Sequence, residues 1–193
     1  SLSASTEVAE GGSIVYTANL TNAAGTPVTV TLSNGAVINI AAGATTGSVT
    51  VKAPADDVYK DAGKVEATIK DASGGNFENL VKDPVAAVTS VTDTLDTSTV
   101  TLTATSSVAE GGTVVYTASV GSPVTGSPVI VTLANGQTIT IDIGKSSGTV
   151  NAVVSNDVLS GHAPLTNSII NVSGGNYENL VADKTPVSTS VTD

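Results

Sequence analysis

Carboxylates are the residues of this sequence whose types and spacing could do chemistry. Asp93 and Asp96 lie three apart in the stretch VTDTLDTSTV, Asp56 and Asp57 are adjacent, and Glu10 precedes two glycines. No lysine lies in the VTDTLDTSTV stretch to pair with its two acids. Carboxylate and backbone oxygens suit a hard cation, and calcium tolerates irregular loops better than magnesium does. The predicted chemistry is therefore calcium binding, provided that the fold brings these loops together.

The charge balance narrows the classes of partner. Acids outnumber bases 17 to 7, and the formal net charge is −10. Such a chain lacks a basic surface that could contact the phosphates of a nucleic acid, so we expect no nucleic-acid partner.

The sequence also excludes cysteine chemistry. Cysteine is absent, so neither disulfides nor thiolate metal sites can form. We find neither a signal peptide nor an apolar run long enough for a bilayer, so we expect no membrane insertion. The abrupt start at Ser1 is expected for a piece of a longer protein.

An internal repeat organises the chain. The stretch VAEGGSIVY at Val8–Tyr16 returns as VAEGGTVVY at Val108–Tyr116, and SGGNFENLV at Ser73–Val81 returns as SGGNYENLV at Ser173–Val181. A period of about 100 residues is that of a whole domain rather than of a solenoid repeat. The sequence therefore predicts two tandem domains, residues 1–92 and 99–193, joined by a calcium-binding linker at 93–98.

Each copy reads as a series of short strands without a helical apolar pattern. Lys64–Lys70 alternates between apolar and polar residues, and Ser33-Asn34-Gly35 is a hairpin turn signal. Seven strands in such a length predict an all-β fold of two seven-stranded immunoglobulin-like β-sandwich domains. The strands predicted in the first copy are Ser1–Thr6, Ile14–Leu20, Val28–Leu32, Val37–Ile40, Val49–Lys52, Lys64–Lys70 and Phe77–Val91.

Alternating strand directions sort the loops onto two ends. We call the lower end the one that holds the turn around Glu10, the loop at 53–63 and the exit of the last strand. Carboxylates gathered there would repel one another unless a cation intervenes. We expect the top of the second copy, with Glu178, to face this end. The predicted metal ligands are Glu10, Asp56, Asp57, Asp93, Asp96, Glu110, Asn156, Asp157 and Glu178.

The second copy departs from the first at its own lower end. Glu110 and Asp157 keep the acids of the first copy, whereas Asn156 replaces Asp56 and brings less charge. This site would also need a linker beyond Asp193, so we expect it to bind calcium more weakly. His162 has no histidine counterpart in the first copy. We interpret it as a solvated side chain, and the alternative is a metal ligand beside Asp157.

As a group, these motifs resemble a known family. The stretches VAEGG-x-[IV]-VYTA, SGGN-[FY]-ENLV and VTDTLDTSTVTLTAT are similar to the tandem extender repeats of giant RTX adhesins from biofilm-forming bacteria such as pseudomonads. The resemblance covers essentially the whole chain. It implies type I secretion, a place at the extracellular cell surface, and immunoglobulin-like domains that stiffen with calcium and project an adhesive tip.

We therefore expect structural extender repeats of an adhesin that serve surface attachment and biofilm formation. The expected partners are neighbouring repeats of the same chain, without a small-molecule substrate, and the fragment is expected to be a monomer. The alternative is a binding module whose faces contact carbohydrate, a host protein or other repeats. An exposed apolar cluster present in both copies would favour that alternative. No repeated catalytic set is present, so we do not expect an enzyme.

Overall fold

The computed structural model describes all residues from Ser1 to Asp193, and its regular elements are 19 β-strands. No helix in it combines the length and apolar character that crossing a membrane requires. The chain divides into two compact units. Unit 1 comprises Ser1–Asp57 and Asp61–Thr94, and unit 2 comprises Val58–Lys60 and Leu95–Asp193.

Unit 1 contains nine strands in three sheets. The sheet orders are β1-β3-β6, β2-β9-β7 and β5-β4-β8. The strands are β1 (Leu2–Ala4), β2 (Glu7–Ala9), β3 (Ser13–Asn19), β4 (Val28–Leu32), β5 (Val37–Ile40), β6 (Thr46–Lys52), β7 (Gly63–Ala67), β8 (Ile69–Gly74) and β9 (Ala87–Thr92).

Unit 2 repeats this arrangement with one additional pairing. The sheet orders are β15-β12-β10-β18, β11-β19-β16 and β14-β13-β17. The additional pair is parallel and joins β10 to β18. The strands are β10 (Thr97–Ala104), β11 (Ser107–Ala109), β12 (Thr113–Ser119), β13 (Val129–Leu133), β14 (Thr138–Ile141), β15 (Ser147–Val153), β16 (Leu165–Asn167), β17 (Ile169–Ser173), β18 (Asn179–Ala182) and β19 (Val187–Thr192).

Alternating apolar residues build the core of each unit. In β3 the side chains of Ile14, Tyr16 and Ala18 are buried, and the residues between them are more exposed. They join the inward residues of β4 and β5 in one apolar cluster. Because β3 belongs to one sheet and β4 and β5 to another, the core lies between two layers. The predicted immunoglobulin-like β-sandwich is confirmed, and unit 2 has an equivalent cluster.

Three strand predictions for the first copy are wrong in detail. The first predicted strand splits into β1, which pairs with β3, and β2, which pairs in parallel with β9. The predicted strand Lys64–Lys70 splits into β7 and β8, because its two halves pair with different partners, β9 and β4. The predicted strand Phe77–Val91 is regular only from Ala87 to Thr92. Pro84 lies in the irregular part, where proline cannot donate a hydrogen bond to a ladder.

Candidate metal centre

The turn between β2 and β3 positions Glu10. Its amide donates to the carbonyl of Thr92 at 3.0 Å, and the amide of Gly11 donates to the carbonyl of Pro54 at 2.7 Å. Gly11 has a φ of 69°, a conformation that glycine adopts without steric cost. A Cβ on Gly12 would lie 2.7 Å from Cγ2 of Val8, so this position also requires glycine. The turn therefore fixes Glu10 beside the end of β9 and the start of the loop at 53–62.

Three carboxylates of unit 1 meet at this point. Single carboxylate oxygens of Glu10, Asp57 and Asp61 all lie within 4.8 Å of one another. Glu10 is only 6% exposed, and its Oε2 is buried without a hydrogen-bond partner. Carboxylates this close repel one another when all of them are ionised. The cluster therefore needs a proton or a cation to offset the repulsion.

The pKa of Glu10 reflects the repulsion within this cluster. The pKa of Glu10 is raised to about 7, first by a hydrogen bond with the Asp61 side chain, then by burial and by the nearby negative charges of Asp61 and Asp57. A backbone hydrogen bond at Asp57 acts in the opposite direction and is outweighed. Below this pKa a proton holds the cluster together, and above it the site carries a further negative charge.

Asp93, which follows β9 directly, lies at the same end of unit 1. Its Oδ1 accepts a hydrogen bond from the amide of Asp61 at 3.2 Å. One of its carboxylate oxygens lies within 4.8 Å of a Glu10 oxygen. The turn, the loop at 53–62 and the last strand therefore each bring a carboxylate to one place.

Asp56 has a different role from that of its neighbour Asp57. Its Oδ1 accepts a hydrogen bond from the hydroxyl of Thr94, and Asp56 is not one of the three clustered carboxylates. This contact joins the loop at 53–62 to the first residue after Asp93. Asp61 is not among the predicted ligands, although its carboxylate is one of the three that meet here. Its position 32 residues before Asp93, which it reaches through its amide, carries no local sequence signal.

Two predicted ligands lie together in unit 2. The amide of Asp96 donates to Oε2 of Glu178 at 2.7 Å. Oε1 of Glu178 is buried without a hydrogen-bond partner. The amide of Glu178 donates to the carbonyl of Val58 at 2.9 Å. Glu178 thus keeps a free buried oxygen, which is a feature of a ligand.

The lower end of unit 2 gathers a different set of side chains. Glu110, His162 and Asp193 each bring one ligand atom within 4.8 Å of the others. Nε2 of His162 contacts Oε1 of Glu110 and lies 3.6 Å from Oδ1 of Asp193. The side chain of His162 is 22% exposed, so its interpretation as a solvated residue is wrong. The reason is that the turn holding Glu110 folds over the loop at 154–164, and residue numbers alone do not show this packing.

Two further predicted ligands of unit 2 lie outside this cluster. Oδ1 of Asp157 accepts the amide of Leu159 at 2.7 Å, and Asn156 is exposed. The amide of Gly161 donates to both carboxylate oxygens of Asp193, at 3.1 and 3.2 Å. Gly161 therefore takes the backbone role of Asp61, and the imidazole of His162 is added from the next position. An all-oxygen set in unit 1 suits a hard cation, and a set with one nitrogen suits it less well.

Comparisons with known proteins bear on the whole chain. A family model described as "LapA domain" matches residues 1–94 and 96–193. No curated protein is significantly similar in sequence. Among solved structures, the fibronectin(III)-like modules of Clostridium thermocellum CbhA are 16% identical, with an alignment that covers 100% of this chain and 94% of that one at a TM-score of 0.29. On the family match, this chain belongs to the LapA domain family, the adhesin family that takes its name from the large adhesion protein of Pseudomonas.

Proposed function

We propose that this chain is a pair of structural extender repeats of a secreted bacterial adhesin, stiffened by calcium at the junction of its domains. Membership in an adhesin family implies a place at the cell surface. The observation that carries the calcium proposal is the buried carboxylate of Glu10, whose Oε2 has no hydrogen-bond partner and which lies among the acids of two other segments. The repeats would project an adhesive tip for surface attachment and biofilm formation.

Calcium acts in this proposal as a tie between three segments. Glu10 supplies an oxygen from the turn, Asp57 and Asp61 supply oxygens from the loop at 53–62, and Asp93 supplies one from the end of β9. Calcium takes six to eight oxygen ligands, so backbone carbonyls and water complete the shell. The bound cation replaces the proton on Glu10 and removes the mutual repulsion of the carboxylates. Glu178 and Asp96 remain predicted ligands on the second unit.

Calcium bound by these carboxylates would also fix the start of the linker. Thr94 follows Asp93 directly and holds Asp56 through its hydroxyl. When calcium fixes Asp93 and the loop at 53–62, Thr94 leaves unit 1 in one direction. Without calcium the carboxylates of Asp57, Asp61 and Asp93 repel Glu10, the loop residues on either side of Val58–Lys60 are no longer held to Asp93, and the linker samples a wider range of directions. Extracellular calcium modules bind with dissociation constants of about 10⁻⁴–10⁻³ M, so the tie would form outside the cell and not in the cytosol.

Calcium titration of the complete chain tests this proposal. Isothermal calorimetry should detect binding in the millimolar range or tighter, and Asp61→Asn should weaken it because one oxygen ligand loses its charge. The matched control is Asp71→Asn, which neutralises an exposed carboxylate on β8. Equal binding by the two variants would exclude the cluster around Glu10, and no binding at millimolar calcium would exclude the calcium tie altogether.

A further inference from the structure

A three-residue segment, Val58–Lys60, forms part of the upper end of unit 2. The amide of Lys60 donates to the carbonyl of Asn176 at 3.0 Å, and Nδ2 of Asn176 donates to the carbonyl of Lys60 at 2.9 Å. The amide of Glu178 donates to the carbonyl of Val58 at 2.9 Å. The segment therefore forms a short antiparallel ladder with the residues around Tyr177.

The side chain of Tyr59 occupies a defined seat. Its ring packs on Tyr177 with the ring centroids 5.6 Å apart, and its hydroxyl donates to the carbonyl of Pro123 at 2.7 Å. The hydroxyl of Tyr177 donates to the neighbouring carbonyl of Ser122 at 2.6 Å. Val58 and Tyr59 also pack against the apolar cluster of unit 2. We call Val58–Lys60 the clip. We call the surface of unit 2 that it covers, around Tyr177, the seat.

Unit 1 has a counterpart of the seat, with Phe77 in place of Tyr177, and no clip lies on it. Asn76 and Phe77 stand 100 positions before Asn176 and Tyr177 in the repeated stretch SGGN-[FY]-ENLV. Beside Phe77 lies a cavity of about 310 Å³, which is also lined by Ser1, Asn22 and Asn79. Part of this cavity is the place that Thr97–Val100 take beside Asn179–Ala182 in unit 2. Asn22 stands 100 positions before Ser122, whose carbonyl accepts the hydroxyl of Tyr177 in unit 2.

Unit 2 has a counterpart of the clip, with Leu159 in place of Tyr59, and this segment is not seated on a partner. Val158-Leu159-Ser160 stands 100 positions after Val58-Tyr59-Lys60, in the corresponding loop. Val158 is 100% exposed and Leu159 is 69% exposed, whereas Val58 and Tyr59 are half-buried. Two large adjacent apolar side chains are thus presented to solvent at the position where the first repeat places its clip.

We propose that copies of this chain join head to tail, with Val158–Ser160 of one copy seated beside Phe77 in unit 1 of the next. The pattern of unit 2 fixes the register: the amide of Ser160 donates to the carbonyl of Asn76, and the amide of Glu78 donates to the carbonyl of Val158. Leu159 takes the place of Tyr59 over the aromatic ring. The clip and the seat are different surfaces, so the contact is heterologous.

This inference deepens the proposed extender role and rests on it for the expectation that like repeats meet end to end. The contact itself needs no calcium, because its groups are backbone amides, carbonyls and apolar side chains. A ladder this short binds weakly between separate molecules, whereas a short linker raises the effective concentration to the millimolar range. The contact is therefore expected to form chiefly when the copies are covalently joined.

A tandem of two complete chains provides the test. The copies are joined by TLDTSTV, the sequence of Thr94–Val100, because Ser1 corresponds to Thr101 in the register that pairs Leu2 with Ala18 and Leu102 with Ala118. Residue-resolved hydrogen exchange is measured in excess chelator on the single chain and on the tandem. The amide of Lys60 is the internal control, since the clip of the first repeat is seated in both.

The tandem contains two Ser160 amides and two Glu78 amides, and the contact covers Ser160 of the first copy and Glu78 of the second. Each of these residues should therefore show two equal populations. The covered population should exchange at least about tenfold more slowly than in the single chain. Leu159→Asp in the first copy should abolish the slow population, and Val85→Asp, at an equally exposed valine, should leave it unchanged. Rates for Ser160 and Glu78 equal to those of the single chain, while Lys60 stays slow, would overturn the inference. Because chelator is present throughout, that outcome leaves the calcium proposal to its own titration.

Discussion

At the scale of the residue, equivalent glutamates have different surroundings in the two units. Glu10 meets Asp57 and Asp61, whereas Glu110 meets His162 and Asp193. The change arises from a pair of adjacent positions, Asp61-Ala62 in the first repeat and Gly161-His162 in the second. A carboxylate is lost and an imidazole is gained, so the two ends differ in both charge and donor type. We therefore expect calcium to bind unit 1 before unit 2.

Neutralising Glu10 should separate its two roles. Glu10→Gln keeps the size of the side chain and removes one charge from the carboxylate cluster, so the chelated protein should melt at the same temperature or higher. The same change should weaken calcium binding by about tenfold or more, because a charged ligand is lost. Glu66→Gln, on an exposed position of β7, is the matched control and should alter neither quantity. A lower melting temperature for Glu10→Gln in chelator would contradict the repulsion.

The pKa of Glu10 predicts how stability depends on pH. Because this pKa is about 7 in the folded chain and near 4.5 when unfolded, the folded state binds the proton more tightly. The stabilisation is fully present below about pH 4.5 and is lost as the pH rises to 7 and above. In chelator, the contribution of Glu10 to the unfolding free energy should therefore fall over this window. It is isolated by denaturant titrations of the native chain and Glu10→Gln at successive pH values.

Calcium binding should show the opposite trend, because the cation competes with that proton. Calcium affinity should rise as the pH is raised through 7 and then level off. Calorimetry at pH 6, 7 and 8 measures it directly. An affinity that does not change over this range would mean that Glu10 does not bind the cation.

At the scale of the element, the glycine pair after Glu10 sets the geometry of the site. A Cβ on Gly12 would lie 2.7 Å from Cγ2 of Val8 and 2.9 Å from the carbonyl oxygen of Ala9. Gly12→Ala should therefore destabilise unit 1 by about 1–3 kcal/mol and displace Glu10. Gly63→Ala meets its nearest atom at 3.6 Å and should be neutral or slightly stabilising. Denaturant unfolding of both variants, followed by calcium titration, measures the two effects.

The sequence predicts those elements whose burial pattern is local. Val28–Leu32 and Val37–Ile40 have the predicted bounds, since alternation and the Asn34-Gly35 turn specify both strands of this hairpin. The splitting of the predicted strand Lys64–Lys70 was not predictable in this way. The alternation of buried residues continues past Thr68, so it gives no sign of a break. The break arises because the first half pairs with β9 and the second half with β4, and these pairing partners are distant in the sequence.

The same distinction applies to the candidate site. The repeat and the strand directions bring Glu10, Asp57 and Asp93 to one end of unit 1, and this much followed from topology. The individual contacts did not: Asp56 binds Thr94, and Asp157 accepts the amide of Leu159 within its own loop. Loop conformation decides such contacts, and Asp serves equally well in turns and in metal sites.

At the scale of the whole molecule, Val58–Lys60 belong to the first repeat in sequence but pack as part of unit 2. Tyr59 packs on Tyr177 and donates to Pro123, so Tyr59→Ala should destabilise unit 2 by about 1–3 kcal/mol. Tyr59→Phe keeps the ring and should cost about 1 kcal/mol. Unfolding followed by hydrogen exchange in both units measures the effect. A loss of protection confined to unit 1 would contradict the assignment of this segment to unit 2.

The central claim is that calcium bound by the carboxylates around Glu10 stiffens the pair of repeats. Small-angle scattering of the complete chain, in excess chelator and then in millimolar calcium, tests it most directly, with the melting temperature recorded on the same samples. The account predicts a longer maximum dimension and a higher melting temperature in calcium, and a smaller change in both quantities for Glu10→Gln at the same calcium concentration. Superimposable scattering curves with an unchanged melting temperature would contradict it.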